Sequence, residues 1–162
     1  MRDMKTRFTQ KKLAKTVFKN LCEVIGENGT KYTANKKSLS VTCLMRGEHT
    51  LVALDVAVNA NDMILLAISP LLFTVPKERR DVFAVAVSFV NAYLPDGHFD
   101  FDYQTGEVNF RMILSFANSL IDKQALRYLA STMLKTVDGN DQKLQSVANG
   151  NSSVEEIAAL LR

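Results

Sequence analysis

The sequence predicts a single α+β domain in which helices pack on one antiparallel sheet. The chain has 162 residues, and 47% of them are apolar. A chain of this length forms one core and buries about 70% of the surface that its unfolded form exposes. Apolar residues recur every third or fourth position in some segments and every second position in others. The turns between the alternating segments are short, which favours antiparallel pairing.

The first helix is predicted over residues 9–25. Its apolar stripe, spaced at every fourth residue, consists of Leu13, Val17, Leu21 and Ile25. This spacing places one apolar face against a core, and Gly26 is a suitable stop. Because the helical pattern starts at Thr9, residues 1–8 are expected to form a loose N-terminus.

Three strands are predicted next, over residues 39–45, 51–58 and 63–68, and short turns join them into a meander. In the first strand, one face carries the alternating apolar side chains of Leu39, Val41, Cys43 and Met45. Leu44 lies on the opposite face. Pro70 is expected to follow the end of the third strand, because proline donates no hydrogen bond to a sheet.

The second helix is predicted from Pro76 to Tyr93. Between Val82 and Val90 it is apolar on nearly every side, with Ser88 as the exception. A helix that is apolar all round is buried on more than one side. We therefore expect the sheet to cover one side and a second subunit, in a homodimer, to cover another.

A hairpin follows the second helix. Its first strand alternates between one face with Phe99, Phe101 and Tyr103 and another with His98, Asp100 and Asp102. A short loop over residues 104–106 supplies a glycine where a positive φ is needed. The return strand over residues 108–116 completes a predicted sheet of five strands.

Helices are predicted for the rest of the chain. A third helix starts near Asp122, a suitable cap, and residues 138–141 either kink it or break it. Ser152 and Glu155 form a capping box for a last helix over residues 153–161. The order is α-β-β-β-α-β-β-α within one domain of residues 1–162, and residues 139–162 form a C-terminal helical extension.

More than half of the chain resembles the YbjN family, described as bacterial sensory-transduction regulators. The matching segments are Val75-Pro76, Arg79-Arg80, Val90-Asn91, Gly97–Asp102, Gly106–Arg111 and Gly150–Glu156. The resemblance implies the type III secretion chaperone-like fold, to which this family belongs. It also implies a regulatory or chaperone-like role in binding proteins, through dimers, and it carries over no catalytic residues.

Several classes of protein are not indicated by the sequence. It contains no phosphate loop and no nucleophile, metal-protease or CxxC motif, so we expect no enzyme, cofactor or metal site. Cys22 and Cys43 fall in apolar patterns and are interpreted as buried thiols.

The longest apolar runs are too short to span a membrane, and the N-terminus lacks the apolar core of a signal peptide. We therefore expect a cytoplasmic protein without membrane insertion.

Polar residues of the predicted sheet have structural interpretations as well as functional ones. His98, Asp100 and Asp102 share a face but spread over roughly 13 Å, too far for one ion. Asp55 is expected to point outward or to pair with Arg46 or Arg111.

Two residues in the resembling segments are also interpreted structurally. Asn91, near a helix end, can satisfy loop carbonyls. Arg111 can pair with a carboxylate across the hairpin.

The outer face of the sheet is the main candidate for a partner site. It is mixed and partly apolar, as partner sites often are. Together with the second helix, it gives the predicted partner-binding residues Leu44, Leu51, Ala53, Ile113, Arg111, Val85 and Phe89. The alternative is that the segment after Gly139 folds back and covers this face, or swaps to a second copy.

The sequence thus predicts a non-enzymatic regulator or chaperone-like module that binds a protein segment, and two alternatives stay open. Residues 1–37 hold ten Lys and Arg against three Asp and Glu, although the whole chain carries only +3. This basic segment could bind nucleic acid or an anionic surface, but it has few interleaved aromatic residues. A small molecule could also bind between the second helix and the sheet, among Phe83, Phe89, Phe101 and Phe110.

Overall fold

The computed structural model describes residues 2–27, 29–117 and 119–160. In chain order, the elements are α1 (Arg2–Gly26), β1 (Tyr32–Asn35), β2 (Ser40–Arg46), β3 (Leu51–Asn59), β4 (Ile64–Thr74), a short 3₁₀ helix (Lys77–Arg79), α2 (Arg80–Tyr93), β5 (His98–Phe101), β6 (Glu107–Ser115), α3 (Lys123–Ala148) and α4 (Val154–Leu160). None of the helices in these ranges is long and apolar enough to cross a membrane.

The six strands form one antiparallel sheet in the order β1-β2-β3-β4-β6-β5. Alternation divides each long strand between two faces. The inner face is buried and apolar, and it includes Val41, Cys43, Val52, Leu54, Val56, Leu65, Ala67, Val108, Phe110 and Met112. The sequence predicted this division correctly for β2, β3 and β6.

The helices pack on the inner face. α1 contacts β3, and α3 contacts β3, β4, β6 and α1. α2 lies against β5 and α3, and α4 packs on α2. The predicted stripe of α1 is buried through Val17 and Leu21, so the core lies between the sheet and a layer of helices.

The predicted count of five strands is wrong, because β1 adds a sixth. It pairs with β2 from Tyr32↔Cys43 to Asn35↔Ser40 at the edge of the sheet. All four of its residues are exposed. An edge strand of four residues with both faces in solvent has no buried face to mark it, so the sequence signal for it is too short to recognise.

Pro70 does not end the third predicted strand. β4 continues through it for 11 residues in all, from Ile64 to Thr74. Pro70 lies opposite Asn109, and the register with β6 is irregular between Pro70 and Thr74. A bulge of this kind accommodates the missing backbone donor.

Helix boundaries also differ from the prediction. α1 begins at Arg2, so the expected loose N-terminus is helical from that residue, while Met1 lies outside the described residues. α2 begins at Arg80 after the short 3₁₀ helix rather than at Pro76.

α3 is continuous from Lys123 to Ala148, so residues 138–141 neither break it nor end it. The boundary predicted for the extension therefore falls inside a helix. The division of the chain into a domain and an extension stays a prediction.

The last capping box lies one residue later than predicted. Ser153 Oγ accepts from the backbone N–H of Glu156 at 3.2 Å, and Glu156 Oε2 accepts from the backbone N–H of Ser153 at 2.8 Å. α4 accordingly covers Val154–Leu160, and Leu161 lies outside the described residues.

Candidate protein-binding surfaces

The outer face of the sheet is open. The helices occupy the inner face, and several large apolar side chains of the outer face remain in solvent, with Leu44 62%, Leu51 47%, Leu72 77% and Ile113 48% exposed. Ala53 and Leu66 are half-buried between them. We call this set, with Arg111, the outer sheet face.

Residues 140–160 do not cover the outer sheet face. The second half of α3 buries Leu144, Val147 and Ala148 in the core, and α4 packs on α2. Of the two arrangements that the sequence allowed within one chain, the structure shows the open one.

α2 presents a second apolar surface to solvent. Val82, Val85, Phe89 and Tyr93 are exposed by 37–51% and share one side of the helix. The opposite side is buried through Phe83, Ala86, Val87 and Val90. We call the exposed set the α2 stripe. The sequence showed that α2 is apolar all round, and the structure shows which side its own chain leaves open.

The start of α4 borders the α2 stripe. A cavity of about 530 Å³ lies between them, lined by Arg79, Val82, Val85, Phe89 and residues 150–155. Small side chains flank the stripe on its other side, where Ala84, Ser88 and Ala92 line a second depression with Val85 and Phe89. Another polypeptide could therefore approach the helix backbone closely at this point.

Arg111 is held by two residues of the neighbouring strand. Its Nε lies 2.8 Å from Asp100 Oδ2, and its terminal Nη2 lies 3.1 Å from Asp100 Oδ1 and 3.0 Å from His98 Nε2. The expected pairing of Arg111 with a carboxylate across the hairpin is confirmed. The guanidinium of Arg111 is therefore held in position on the outer sheet face, and 38% of its side chain remains exposed.

The third polar residue of the predicted row does not join this group. Asp102 lies past the end of β5, and its Oδ1 accepts from the backbone N–H groups of Gln104 and Thr105. These bonds lower the pKa of the Asp102 carboxyl. Among the described residues, no three His, Cys, Asp or Glu side chains are grouped closely enough to hold a metal ion.

Asp55 points outward, as expected, but its partner is neither arginine. Its Oδ1 accepts from Thr42 Oγ1 at 2.7 Å, from the directly opposite residue on β2. Ile68 separates it from Arg111 in the register of the sheet. Thr42, Asp55 and Arg111 therefore form a polar row, interrupted only by Ile68, across a partly apolar surface.

Asn91 closes the outer edge of β5. Its Nδ2 donates to the Phe99 carbonyl at 3.0 Å, and its Oδ1 accepts from the Phe99 N–H at 2.8 Å. These backbone groups point away from β6, so the side-chain amide replaces a missing neighbouring strand. The sequence indicated that Asn91 satisfies backbone groups, although they belong to a strand edge rather than a loop.

Two arginines from the resembling segments fix α2 in place. The buried guanidinium of Arg80 donates to the carbonyls of Val75, Tyr103, Gln104 and Thr105 at 2.8–3.3 Å. Arg79 donates to the carbonyl of Val147 near the end of α3. Both arginines act on backbone carbonyls of distant segments, which sequence spacing alone could not indicate.

The aromatic residues proposed to line a small-molecule pocket do not form one. The rings of Phe83 and Phe101 pack edge to face with their centroids 5.0 Å apart, and Phe110 packs against Phe99 at 4.9 Å. Phe89 belongs to the exposed α2 stripe. Tyr103, predicted on the same face, instead lies in the turn after β5 and donates to Asp81 Oδ1. The rings fill the space between α2 and the sheet.

The two cysteines are free thiols. Cys43 is buried and Cys22 is half-buried. Burial raises the pKa of both thiols, so both favour the protonated, less nucleophilic form.

The fold is similar to that of several solved structures. A chain of the ExsC–ExsE complex matches with a TM-score of 0.59 and 17% identity, over 80% of this chain and 93% of that one. YbjN from E. coli, described as a candidate transcription regulator, matches with a TM-score of 0.55 and 11% identity, over 80% and 90% of the two chains. A chain of the HopA1–SchA chaperone–effector complex matches with a TM-score of 0.51 and 16% identity, over 79% and 95%.

These likenesses define the class of fold. The chain has the type III secretion chaperone-like fold that the resemblance to the YbjN family implied, with a sixth strand. No family model matches the sequence, and no curated protein matches it either.

Proposed function

We propose that this protein is a non-enzymatic, chaperone-like or regulatory module that acts as a homodimer and binds a segment of a partner protein. The observation that carries the proposal is the presence of two open apolar surfaces, the outer sheet face and the α2 stripe, on one chain. Monomeric proteins rarely expose large contiguous apolar patches, and such patches often mark partner sites.

The similar structures support a role in protein binding. The ExsC–ExsE and HopA1–SchA structures are complexes, and the second is a chaperone with its effector. Their identity to this chain is low, so the likeness supports the fold, and the binding role depends on the open surfaces of this chain.

We assign the α2 stripe to the dimer contact. The stripe is narrow and helical, and the flanking Ala84, Ser88 and Ala92 allow close approach. A second α2 related by a two-fold axis would present the same shape, because a two-fold contact is self-complementary. Val85 and Phe89 are already about half-buried in one chain, so burying the rest of each side chain would contribute roughly half of the ~1.5–3 kcal/mol that complete burial gives.

We assign the outer sheet face to the partner segment. It is broad and shallow, and its polar points, Asp55 and Arg111, lie among apolar side chains. An amphipathic segment can bury its apolar side on Leu44, Leu51 and Ile113 while its polar side chains meet these charges. Apolar contact supplies affinity, and the charged residues supply orientation.

Light scattering after gel filtration tests the dimer. Wild type is expected to elute at the mass of a dimer, and the variant Val85→Glu/Phe89→Glu is expected to elute as a monomer. The control Gln142→Glu/Gln145→Glu adds the same charges to exposed positions of α3 and should remain dimeric. A monomeric wild type at high protein concentration would contradict the homodimer.

Photo-crosslinking tests the sheet face. A photoreactive residue at Ile113 is expected to trap a distinct polypeptide in cells, and the same residue at Gln142 on α3 is not. The added variant Leu44→Glu, on the same face, should abolish the product. Equal crosslinking from both positions would show that the outer sheet face is not a specific site.

A further inference from the structure

Four lysines from two distant segments line one cavity. Lys11 and Lys15 come from α1, and Lys36 and Lys37 come from the turn between β1 and β2. The cavity has a volume of about 500 Å³, within the range typical of small-molecule sites. From the sequence, these lysines could be identified only as part of the basic segment of residues 1–37.

The lining of this cavity has one sign of charge. Besides the four lysines it consists of Ser38, Leu39, Ala57, Val58, Asn59, Ala60 and Asn61, with no acidic residue. Within the described part of the chain these lysines form no ion pair, whereas Lys19 and Lys123 both pair with Glu23. Asp62, next along the chain, accepts from Asn59 Nδ2.

Hydrogen bonds hold the turn that carries two of these lysines. Asn35 Oδ1 accepts from the backbone N–H groups of Lys37 and Ser38 at 2.9 and 3.2 Å. Leu39 adopts a φ of 52°, and its carbonyl accepts from the N–H of Val58 at 3.0 Å. The backbone of Lys36 and Lys37 is therefore fixed relative to the end of β3, which lies in the cavity wall.

We propose that this cavity binds a small molecule that carries two or more adjacent phosphate groups. Unpaired like charges repel one another, and a concave wall concentrates their field at the cavity. A polyphosphate removes this repulsion, and lysine ammonium groups bind phosphate as point charges. The hydroxyl of Ser38 and the amide of Asn61 add neutral donors.

The lining favours a compact polyphosphate over nucleic acid. Proteins that bind single strands combine a basic groove with aromatic side chains on which bases stack. No aromatic side chain lines this cavity. None of the four lysines belongs to the outer sheet face or to the α2 stripe, although Ala57 in the cavity wall lies opposite Leu66 of the outer sheet face. The inference therefore does not depend on the proposed function.

Titration calorimetry with inorganic triphosphate tests the site in the full-length protein. We expect saturable binding at low salt that weakens as ionic strength rises. The variant Lys15→Gln/Lys36→Gln should lower the affinity by about tenfold, because it removes charges from both walls. The control Lys12→Gln/Lys135→Gln makes the same change in net charge at exposed positions outside the cavity, and it should change affinity by less than about twofold.

Each contrary result identifies a different error. If wild type does not bind triphosphate at low salt, or if both variants weaken binding equally, the cavity is not a site. If single inorganic phosphate binds as tightly as triphosphate, the requirement for adjacent phosphates is wrong. If a short single-stranded oligonucleotide binds more tightly and loses affinity in the same lysine variant, nucleic acid is the ligand instead. None of these measurements depends on the dimer or on a partner protein.

Discussion

The carboxylate of Asp138 on α3 lies directly against Gly47, in the turn between β2 and β3. Its two oxygens accept from the backbone N–H groups of Glu48, His49 and Thr50 at 2.8–3.0 Å. One side chain therefore accepts hydrogen bonds from three consecutive backbone N–H groups of the turn that follows Gly47. This contact attaches the middle of α3 to one end of the sheet.

Gly47→Ala should destabilise the protein by about 1–3 kcal/mol, because a Cβ at this position would overlap Asp138. Either the carboxylate or the turn has to move, and the backbone hydrogen bonds weaken. Urea denaturation monitored by circular dichroism measures the change. A stability equal to that of wild type would show that the turn relaxes without cost.

Gly139→Ala should have the opposite effect. Gly139 follows Asp138 within α3, and a Cβ there meets nothing within 4 Å. Alanine in a helix interior is favoured over glycine by roughly 0.5–1 kcal/mol. The same denaturation experiment should show a gain of that size. A loss of stability would mean that α3 is distorted at this position.

The Asp138 carboxylate should also make stability depend on pH in the acid range. Although burial acts to raise it, the three backbone N–H groups hold the pKa of Asp138 below its usual value. A lowered pKa in the folded state stabilises the protein above the unfolded pKa, and this contribution is lost as pH falls through the folded value. Between neutral pH and pH ~3, Asp138→Asn should therefore lose less stability than wild type. Parallel pH profiles would contradict this linkage.

Arg80 should be among the most sensitive positions in the chain. Its buried guanidinium serves four backbone carbonyls, and lysine cannot reproduce this planar set of donors. Arg80→Lys should cost about 2–4 kcal/mol, because buried carbonyls lose their donors. Arg79→Lys, which affects only the carbonyl of Val147, should cost less. Equal losses in thermal denaturation would contradict this ranking.

Patterns within a segment could be predicted from the sequence. Alternation assigned Val41 and Cys43 to the core and Leu44 to the outer face, because each strand has one buried and one open side. The same reasoning placed Leu51 and Ile113 on the outer face. Only the structure shows that this face is open, because coverage depends on where α3 and α4 pack.

Contacts between distant segments could not be predicted in this way. Asp138 accepts from residues about 90 positions away. Lys15 and Lys36 line one cavity only because α1 packs against β1 and β3. β1 is only four residues long and fully exposed, so its sequence carries no signal of a buried face. In each case the structure depends on tertiary packing that leaves no periodic signal in the sequence.

The contact between Asn91 and the backbone of Phe99 gives a final prediction, for the edge of the sheet. Its amide satisfies both backbone groups of Phe99 on the side away from β6, and an unsatisfied strand edge promotes pairing between molecules. Asn91→Ala should lower stability by about 1–2 kcal/mol and increase concentration-dependent aggregation, measured by light scattering during storage. Asn91→Asp keeps the acceptor for the Phe99 N–H but places a second acceptor against its carbonyl, so it should also be destabilised. Asn91→Ala remaining as soluble as the exposed-site control Gln142→Ala would contradict the edge-closing role.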